Sequence, residues 1–264
     1  MKSFAFHRPQ SVPDAVALLR GNGSAKLLAG GQSLLPVMKL DLAEPSDLVT
    51  LAGIPELRGI RAEGDALVIG ALVTHDEVAS SPEVRQRLPG LASLAAGIGD
   101  AQVRNRGTLG GSLAHADPAA DYPAAVLALG ATVITERRQI AADDYFTGLF
   151  QTALEPDEII TGVSFPVPEC SAYAKFAHRA SKFAVVGVMV ARTAGGVRVA
   201  VTGAGGKAFR VPALETALAA RFSADAVDAG AVSPDGLQSD GEASAEFRAH
   251  LVTVMARRAV QACS

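Results

Sequence analysis

The chain has 264 residues, of which 49% are hydrophobic and 19% charged, and its formal net charge is −3. This composition excludes a disordered chain, because disorder requires low hydrophobicity and high net charge. The charge also excludes the basic surface that binding to nucleic acid or anionic lipid requires. Two cysteines, Cys170 and Cys263, are too few to hold an iron–sulfur cluster or a four-ligand zinc site.

The sequence predicts neither a secretory signal nor a membrane span. Residues 1–9 contain no apolar core of the length found in signal peptides and no small-residue cleavage site. No window approaches the roughly 18 consecutive apolar residues that a helix needs to cross a bilayer. We therefore expect a cytoplasmic protein without a membrane partner.

The first part of the chain predicts short helices and strands. Ser11 is a good N-cap for a helix over residues 11–20, and Gly21-Asn22-Gly23 ends that helix. Thr74 and Glu77 are three residues apart, which is the capping-box pattern of a helix start. The other predictions are strands at 25–29 and 47–51, an apolar turn at 34–40, and a hairpin formed by 58–62 and 66–69.

From residue 158 to residue 201 the pattern becomes richer in strands, and a boundary between two parts of the chain is predicted near residues 165–175. Before this boundary, a helix is predicted over 121–129, where Gly130 ends it. After it, Gly195-Gly196 predicts the turn of a hairpin. The predicted strands are 131–135, 159–165, 172–177, 183–192 and 197–201, and the last two helices are 213–222 and 243–262. These elements indicate an α+β fold.

A first glycine-containing segment, Ala29-Gly30-Gly31-Gln32-Ser33, follows a predicted strand. Glycine permits positive φ and close approach, so the backbone N–H groups of such a segment can face an anion. An ordinary strand-to-helix turn explains the same pattern and stays open as the alternative. The segment is not a P-loop, since no Gly-Lys-Ser/Thr follows at the required spacing.

A second glycine-containing segment, 107–112, is followed within nine residues by His115, Asp117 and Asp121. Carboxylates beside a glycine loop can accept hydrogen bonds from a ribose or from a ring N–H. They can equally cap the next helix, and Asp121 is well placed to do so. Two such polar loops in one half of the chain favour a ligand.

Other motifs are not expected to carry chemistry. Residues 203–208 match G-x-G-x-x-A, but a dinucleotide fingerprint requires a helix that opens within the loop, and Pro212 delays the next helix. The five histidines have no metal-binding spacing, and no G-x-S-x-G segment is present. We predict no catalytic side chain and no metal site, so a bound cofactor would have to supply the chemistry.

The two glycine segments together resemble a known family. Residues 27–36 (LLAGGQSLLP) and 99–121 (GDAQVRNRGTLGGSLAHADPAAD) are similar to the FAD-binding medium subunit of molybdenum hydroxylases, the xanthine dehydrogenase and carbon monoxide dehydrogenase family. The resemblance spans nearly the whole chain and includes 157–161, 173–179 and 243–248. It implies an α+β fold with a two-subdomain, PCMH-like FAD-binding domain over 1–170, divided into about 1–56 and 57–170. A smaller domain of antiparallel strands and helices follows over 171–264.

The resemblance also implies a set of cofactor-binding residues. The first segment would wrap the FAD pyrophosphate, the second would form the other wall of the cleft, the two aspartates would bind polar parts of FAD, and two further residues would lie near the flavin. The residues of the first segment are Ala29, Gly30, Gly31, Gln32, Ser33 and Leu34, and those of the second are Thr108, Gly110, Gly111 and Ser112. The two aspartates are Asp117 and Asp121, and His115 is predicted beside them. The two residues near the flavin are Ile160 and Lys175.

The role that the resemblance implies is electron transfer. Electrons would arrive from iron–sulfur clusters on a small partner subunit, pass through FAD, and leave for NAD⁺, O₂ or another acceptor, while a large partner subunit holds molybdopterin. One departure is Lys182, which stands where the family commonly has an Asp. It motivates an alternative, a stand-alone FAD-dependent oxidoreductase. A third hypothesis is a module that keeps the fold without a cofactor.

Overall fold

The computed structural model describes residues 1–228 and 230–263, and these residues form three sheets with their covering helices and one two-stranded ribbon. The first sheet is parallel, with strand order β1-β3-β2. Its elements are β1 (Ala5–His7), α1 (Val12–Gly21), β2 (Ala25–Leu28), α2 (Leu34–Lys39) and β3 (Asp47–Thr50).

The second sheet is antiparallel, with strand order β4-β5-β10-β6-β7, and seven helices accompany it. Strands β8 and β9 form the separate ribbon. The elements are β4 (Ile60–Glu63), β5 (Ala66–Gly70), α3 (His75–Ser80), α4 (Pro82–Arg87), α5 (Pro89–Ala96), α6 (Ala101–Arg104), α7 (Leu109–His115), α8 (Tyr122–Ala128), β6 (Thr132–Thr135), β7 (Gln139–Ala141), α9 (Ala142–Tyr145), β8 (Phe146–Gly148), β9 (Gln151–Thr152) and β10 (Ile160–Pro166).

The third sheet is an antiparallel meander, β11-β12-β13-β14, covered by two helices. Its elements are β11 (Cys170–Ala177), β12 (Ala184–Thr193), β13 (Gly196–Thr202), β14 (Phe209–Arg210), α10 (Pro212–Ala220) and α11 (Ala245–Ala262). Together the three sheets confirm the α+β class. The proposed domain boundaries stay a prediction.

Local sequence signals fix several of these elements. The side chain of Ser11 accepts a hydrogen bond from the N–H of Asp14 and so caps α1. Thr74 and Glu77 form the predicted capping box at the start of α3. Gly130 has a φ of 61° just after α8, a conformation that glycine adopts at little cost.

The third sheet packs on both of its faces. Along β12, Val186, Val188 and Val190 belong to the core under α10 and α11, whereas Met189 and Ala191 belong to the core of the second sheet. Successive side chains of a strand point to opposite faces, so a strand buried on both faces is apolar throughout. This strand therefore ties the last third of the chain to the middle of the molecule.

The G-x-G-x-x-A segment has the structure expected of a connection rather than of a dinucleotide site. Gly203 follows β13 with a φ of 81°, and its N–H donates to the carbonyl of Pro118 at 2.8 Å. The chain then forms β14, and the next helix begins only at Pro212. The helix thus opens after the motif, as the sequence predicts.

Cys170 and Cys263 form a disulfide that the sequence did not predict. The bond joins the start of β11 to the residue that follows α11, with a Cα–Cα distance of 5.6 Å and a sequence separation of 93. At the other end of α11, Phe247 contacts Phe176 near the end of β11, with ring centroids 6.1 Å apart. The helix is thus held against β11 at both ends. Among the described residues, no helix is long and apolar enough to cross a membrane.

Reduction of the disulfide is expected to lower the free energy of unfolding by about 3–5 kcal/mol, because the bond restricts a long segment of the unfolded chain. Urea denaturation with and without dithiothreitol measures the difference. The variant C170A/C263A should show no such response to the reductant. Two reactive thiols in the native, unreduced chain would contradict the pairing.

Candidate cofactor site

The two glycine-containing segments come from different sheets and touch each other. A Cβ added to Gly30 would lie 2.0 Å from the carbonyl oxygen of Arg106 and 2.8 Å from the Cα of Gly107. A Cβ added to Gly111 would lie 3.5 Å from the Cβ of Ala29. Any side chain at position 30 would therefore push the segments apart, and only glycine allows this contact.

The first segment, Ala29–Leu34, offers unpaired backbone donors. It leaves the end of β2, turns at Gly31 with a φ of 74°, and enters α2. None of its six backbone N–H groups donates a hydrogen bond to an acceptor within residues 1–228 and 230–263. Ala29, Gly30, Gly31 and Leu34 are half-buried, and Gln32 and Ser33 are exposed. Backbone donors without a protein partner bond to water or to a ligand, so an external acceptor can reach this run of N–H groups.

In the second segment, residues 107–112, most of the backbone N–H groups are instead bonded to acceptors within the protein. The N–H of Leu109 donates to Val73 at 3.0 Å, and that of Gly110 donates to Ala71 at 2.9 Å. The side chain of Thr108 caps α7 by accepting from the N–H of Gly111 at 3.1 Å. This segment is therefore a rigid wall whose donors are largely used.

The residues after this wall lie around the end of α7. Ser112 is half-buried, and His115 is exposed with its ring 5.2 Å from that of Phe150. Ala116 ends the helix with a φ of 49°. One carboxylate oxygen of Asp117 accepts from the N–H of Ala119 at 2.8 Å, which leaves the other oxygen of this half-buried side chain available.

Asp121 and Lys175 form a buried ion pair with each other. The Lys175 ammonium lies 2.9 Å from the Asp121 carboxylate and also donates to the carbonyl oxygens of Gly97 and Lys182, both at 2.9 Å. The Tyr173 hydroxyl donates to Asp121 at 2.5 Å. Burial raises the pKa of the Asp121 carboxyl, although Lys175 and Tyr173 oppose the shift.

This cluster changes the interpretation of two predicted residues. Asp121 does not cap α8 with its side chain, since that side chain faces Tyr173 and Lys175. An ammonium has three donors, and those of Lys175 have three protein acceptors. Both side chains are thus occupied in joining α5, α8, β11 and the turn at Lys182.

Ile160 is connected to the glycine wall through the backbone. It is buried at the start of β10, beside Thr161, whose carbonyl accepts from the N–H of Ala71 at 3.1 Å. The carbonyl of Ala71 in turn accepts from Gly110. Ile160 therefore lies behind the second segment, on the strand that supports it.

The arrangement fits an anionic cofactor. The first segment offers six free backbone N–H groups. Arg106, whose backbone contacts Gly30, is exposed, and its guanidinium has no acidic partner within the described residues. Backbone N–H groups that converge in a glycine-rich turn bind phosphate. Arg104 is used differently, since it donates to the carbonyls of Ile98 and Gly99.

Sequence reasoning missed two residues of this region. Tyr173 completes the Asp121–Lys175 cluster, and the His75 ring lies under Gly107, where an added Cβ would be 2.5 Å from its Nε2 atom. The only local signal for His75 is its place directly after the Thr74 cap. No motif could reveal either contact, because both join residues far apart in the chain.

Known proteins are similar in sequence to this chain over nearly its whole length. The family described as the FAD binding domain in molybdopterin dehydrogenase matches residues 2–168. The nicotine 6-hydroxylase medium subunit of Paenarthrobacter nicotinovorans is 40% identical over 98% of this chain and 97% of its own length. The carbon monoxide dehydrogenase medium chain of Hydrogenophaga pseudoflava is 39% identical over 98% of this chain and 96% of its own length.

Solved structures agree with these matches. A crystal structure of the Cu,Mo-CO dehydrogenase in its cyanide-inactivated form superposes with a TM-score of 0.93 at 35% identity, covering 99% of this chain and 98% of that chain. The carbon monoxide dehydrogenase from Hydrogenophaga pseudoflava that lacks the Mo-pyranopterin moiety gives a TM-score of 0.92 at 39% identity, with coverages of 99% and 97%. The three-sheet arrangement is thus that of these enzymes.

Gly30→Ala tests the contact between the two segments. The new Cβ would meet the backbone of Arg106, so we expect a loss of about 1–3 kcal/mol in stability together with loss of bound FAD. Denaturant titration and the FAD content per chain measure the two effects. Gly206→Ala is the control, because a Cβ there has no neighbour within 4 Å. A Gly30→Ala chain with full stability and full FAD content would refute the contact.

Lys175→Met tests the buried ion pair. Removal of the ammonium leaves the Asp121 carboxylate buried without its partner, which typically costs about 3–5 kcal/mol. Thermal and urea unfolding measure the loss. The variant D121N/K175M should regain part of it, since no uncompensated charge remains. Equal losses in K175M and D121N/K175M would contradict this explanation, because the loss would then not come from an uncompensated charge.

Proposed function

Because the chain belongs to the family of FAD-binding domains in molybdopterin dehydrogenases, we propose that it is the electron-transfer subunit of a molybdenum-containing hydroxylase or dehydrogenase. The family match makes it an FAD-dependent oxidoreductase subunit. In the proposed path, electrons come from iron–sulfur clusters on a partner subunit and leave through FAD for NAD⁺, O₂ or another acceptor. The observation that carries the proposal is the run of free N–H groups at residues 29–34, inside the part of the chain, residues 2–168, that matches the FAD-binding family.

The chain's own residues would bind FAD from two sides. The N–H groups of residues 29–34 would hold the pyrophosphate, and 108–112 would form the opposite wall. Asp117, through its free carboxylate oxygen, and the Ser112 hydroxyl would orient polar groups of the cofactor, with His115 at the exposed edge. When bound, FAD supplies the redox centre that the side chains of this protein do not provide.

Three predicted residues would act from behind the site. Ile160 supports the wall through Thr161 and Ala71. Asp121 and Lys175 would place the wall and the turn at Lys182 relative to the third sheet, since their polar atoms are already bound to protein. We propose that residues 1–170 form the FAD-binding domain and that 171–264 form the C-terminal domain.

The proposed partners are an iron–sulfur small subunit and a molybdopterin large subunit. Two relatives are a medium subunit and a medium chain by name, and a third, at 35% identity, is a subunit of the 6-hydroxypseudooxynicotine dehydrogenase complex of Paenarthrobacter nicotinovorans. The two cysteines of this chain, Cys170 and Cys263, are too few to hold an iron–sulfur cluster whether or not they are paired. Electrons would therefore have to reach FAD from another chain.

A stand-alone FAD-dependent oxidoreductase is the second candidate, and Lys182 is the observation that favours it. This exposed residue has a φ of 64°, and its carbonyl accepts from Lys175 at 2.9 Å. The backbone at this turn is thus fixed from inside while a cation, in place of the usual Asp, faces outward. A reversed charge at this position changes what can dock there.

The cytoplasmic location expected from the sequence is also a proposal. The Cys170–Cys263 bond argues against it, because disulfides are rare in reducing compartments. A cytoplasmic location predicts that the pair is reduced in freshly lysed cells and oxidised only after isolation.

The test of the proposed function is to isolate the tagged chain from its own cells, record the visible spectrum and identify the released cofactor and the co-purifying chains. We expect flavin absorption, FAD on release, and two partners that contain iron–sulfur clusters and molybdopterin. FAD without partners, with turnover by the lone chain, would support the stand-alone enzyme. A chain that neither contains nor takes up FAD would refute both.

A further inference from the structure

His75 lies directly beneath the point where the two glycine segments touch. It is the first residue of α3 and is 5% exposed. Its backbone N–H donates to the carbonyl of Gly107 at 2.9 Å. A Cβ on Gly107 would lie 2.5 Å from the Nε2 and 2.8 Å from the Cδ2 of His75, so the ring packs against the Gly107 backbone itself.

The Arg106–Gly107 peptide is therefore enclosed from two directions. Gly30 approaches it so closely that an added Cβ would lie within 2.8 Å of three of its backbone atoms. The His75 ring approaches Gly107 at the position where a side chain would project. Neither glycine can gain a Cβ without displacing one of these neighbours, so the two contacts together fix the spacing of the segments.

The imidazole makes this contact as an uncharged ring. Burial, together with the nearby Arg104 guanidinium, lowers the pKa of His75 to about 4. Its Nδ1 atom has no hydrogen-bond partner within the described residues, and its other neighbour is the Tyr122 ring, at 5.3 Å between centroids. A side chain kept for its hydrogen bonds would not leave a ring nitrogen unpaired. The ring therefore contributes through its packing against Gly107 and not through a hydrogen bond.

We propose that His75 is a positioning residue, which holds the Arg106–Gly107 peptide against Gly30 and so sets the width of the FAD site between the two glycine segments. The inference rests on the proposed function, since it assumes that FAD binds between these segments. In this inference His75 affects FAD binding without contacting FAD, by positioning the Arg106–Gly107 peptide. If His75 only filled the core, its substitution would lower stability, and its effect on FAD affinity would not depend on whether Gly107 is also substituted.

A double-mutant cycle on the full 264-residue chain separates these roles. The variants are His75→Ala, Gly107→Ala and H75A/G107A, and the measurement is the FAD dissociation constant, from the quenching of FAD fluorescence, with the visible spectrum of bound FAD. Unfolding temperatures are recorded in parallel. His250→Ala is the control, because His250 is an exposed histidine on α11.

We expect each single variant to weaken FAD binding by roughly tenfold. His75→Ala removes the ring that supports the Arg106–Gly107 peptide, and Gly107→Ala displaces that peptide. The double variant should bind FAD more tightly than Gly107→Ala, because the space left by the ring accepts the new methyl group. The control should bind like the original chain. If Gly107→Ala does not fold, His75→Leu decides, since a side chain of similar size should restore the affinity that His75→Ala loses.

The outcomes separate the two levels of the argument. If the unmutated chain does not bind FAD, the proposed function and this inference are both overturned. If it binds FAD but the two substitutions act additively, or if His75→Ala lowers only the unfolding temperature, the inference alone is overturned.

Discussion

The approach of Gly30 to the Arg106–Gly107 peptide is the contact on which the rest of the site depends. It joins the parallel first sheet to the helices of the second sheet through two backbone segments with no side chain between them. Because the contact is backbone to backbone, small shifts in either sheet would open or close the space beside it. The position of the free N–H groups of residues 29–34 relative to the second segment depends on that contact.

The two glycine segments are similar in composition but differ in the hydrogen bonding of their backbone N–H groups. The first keeps its donors free, whereas the second uses most of its donors on Ala71, Val73 and its own Thr108 side chain. A phosphate site needs unpaired donors held in place, and free donors on a mobile loop would bind weakly. One segment thus provides the donors and the other provides the rigidity, which explains why both carry glycine.

The last third of the chain is coupled to this site by two means. Strand β12 is buried on both faces and contributes Met189 and Ala191 to the core of the second sheet. Beside it, the Lys175 ammonium joins Asp121, Gly97 and the turn at Lys182. Apolar contact packs the sheets together, and the buried ion pair links β11 to the start of α8, where loss of either partner would leave an uncompensated charge. Lys182 therefore lies on a turn whose backbone is held by the Lys175 ammonium.

Sequence alone determined the elements whose causes lie within a few residues: the Ser11 cap, the capping box at Thr74, and the turn at Gly130. The predicted hairpin between β12 and β13 is present, but it turns at Ala194-Gly195, one residue before the predicted pair, because Gly196 already pairs with Thr193. The sequence also determined the family and FAD, because the two glycine segments are long and specific patterns. Only the tertiary structure decided the cluster of Tyr173, Asp121 and Lys175, the disulfide, and the place of His75 under Gly107. These pairs are separated by 32 to 93 residues, and a side chain's own neighbours in sequence contain no information on what folding brings against it. That distance is why Asp121, with a carboxylate suited to a helix cap, instead binds a lysine 54 residues away.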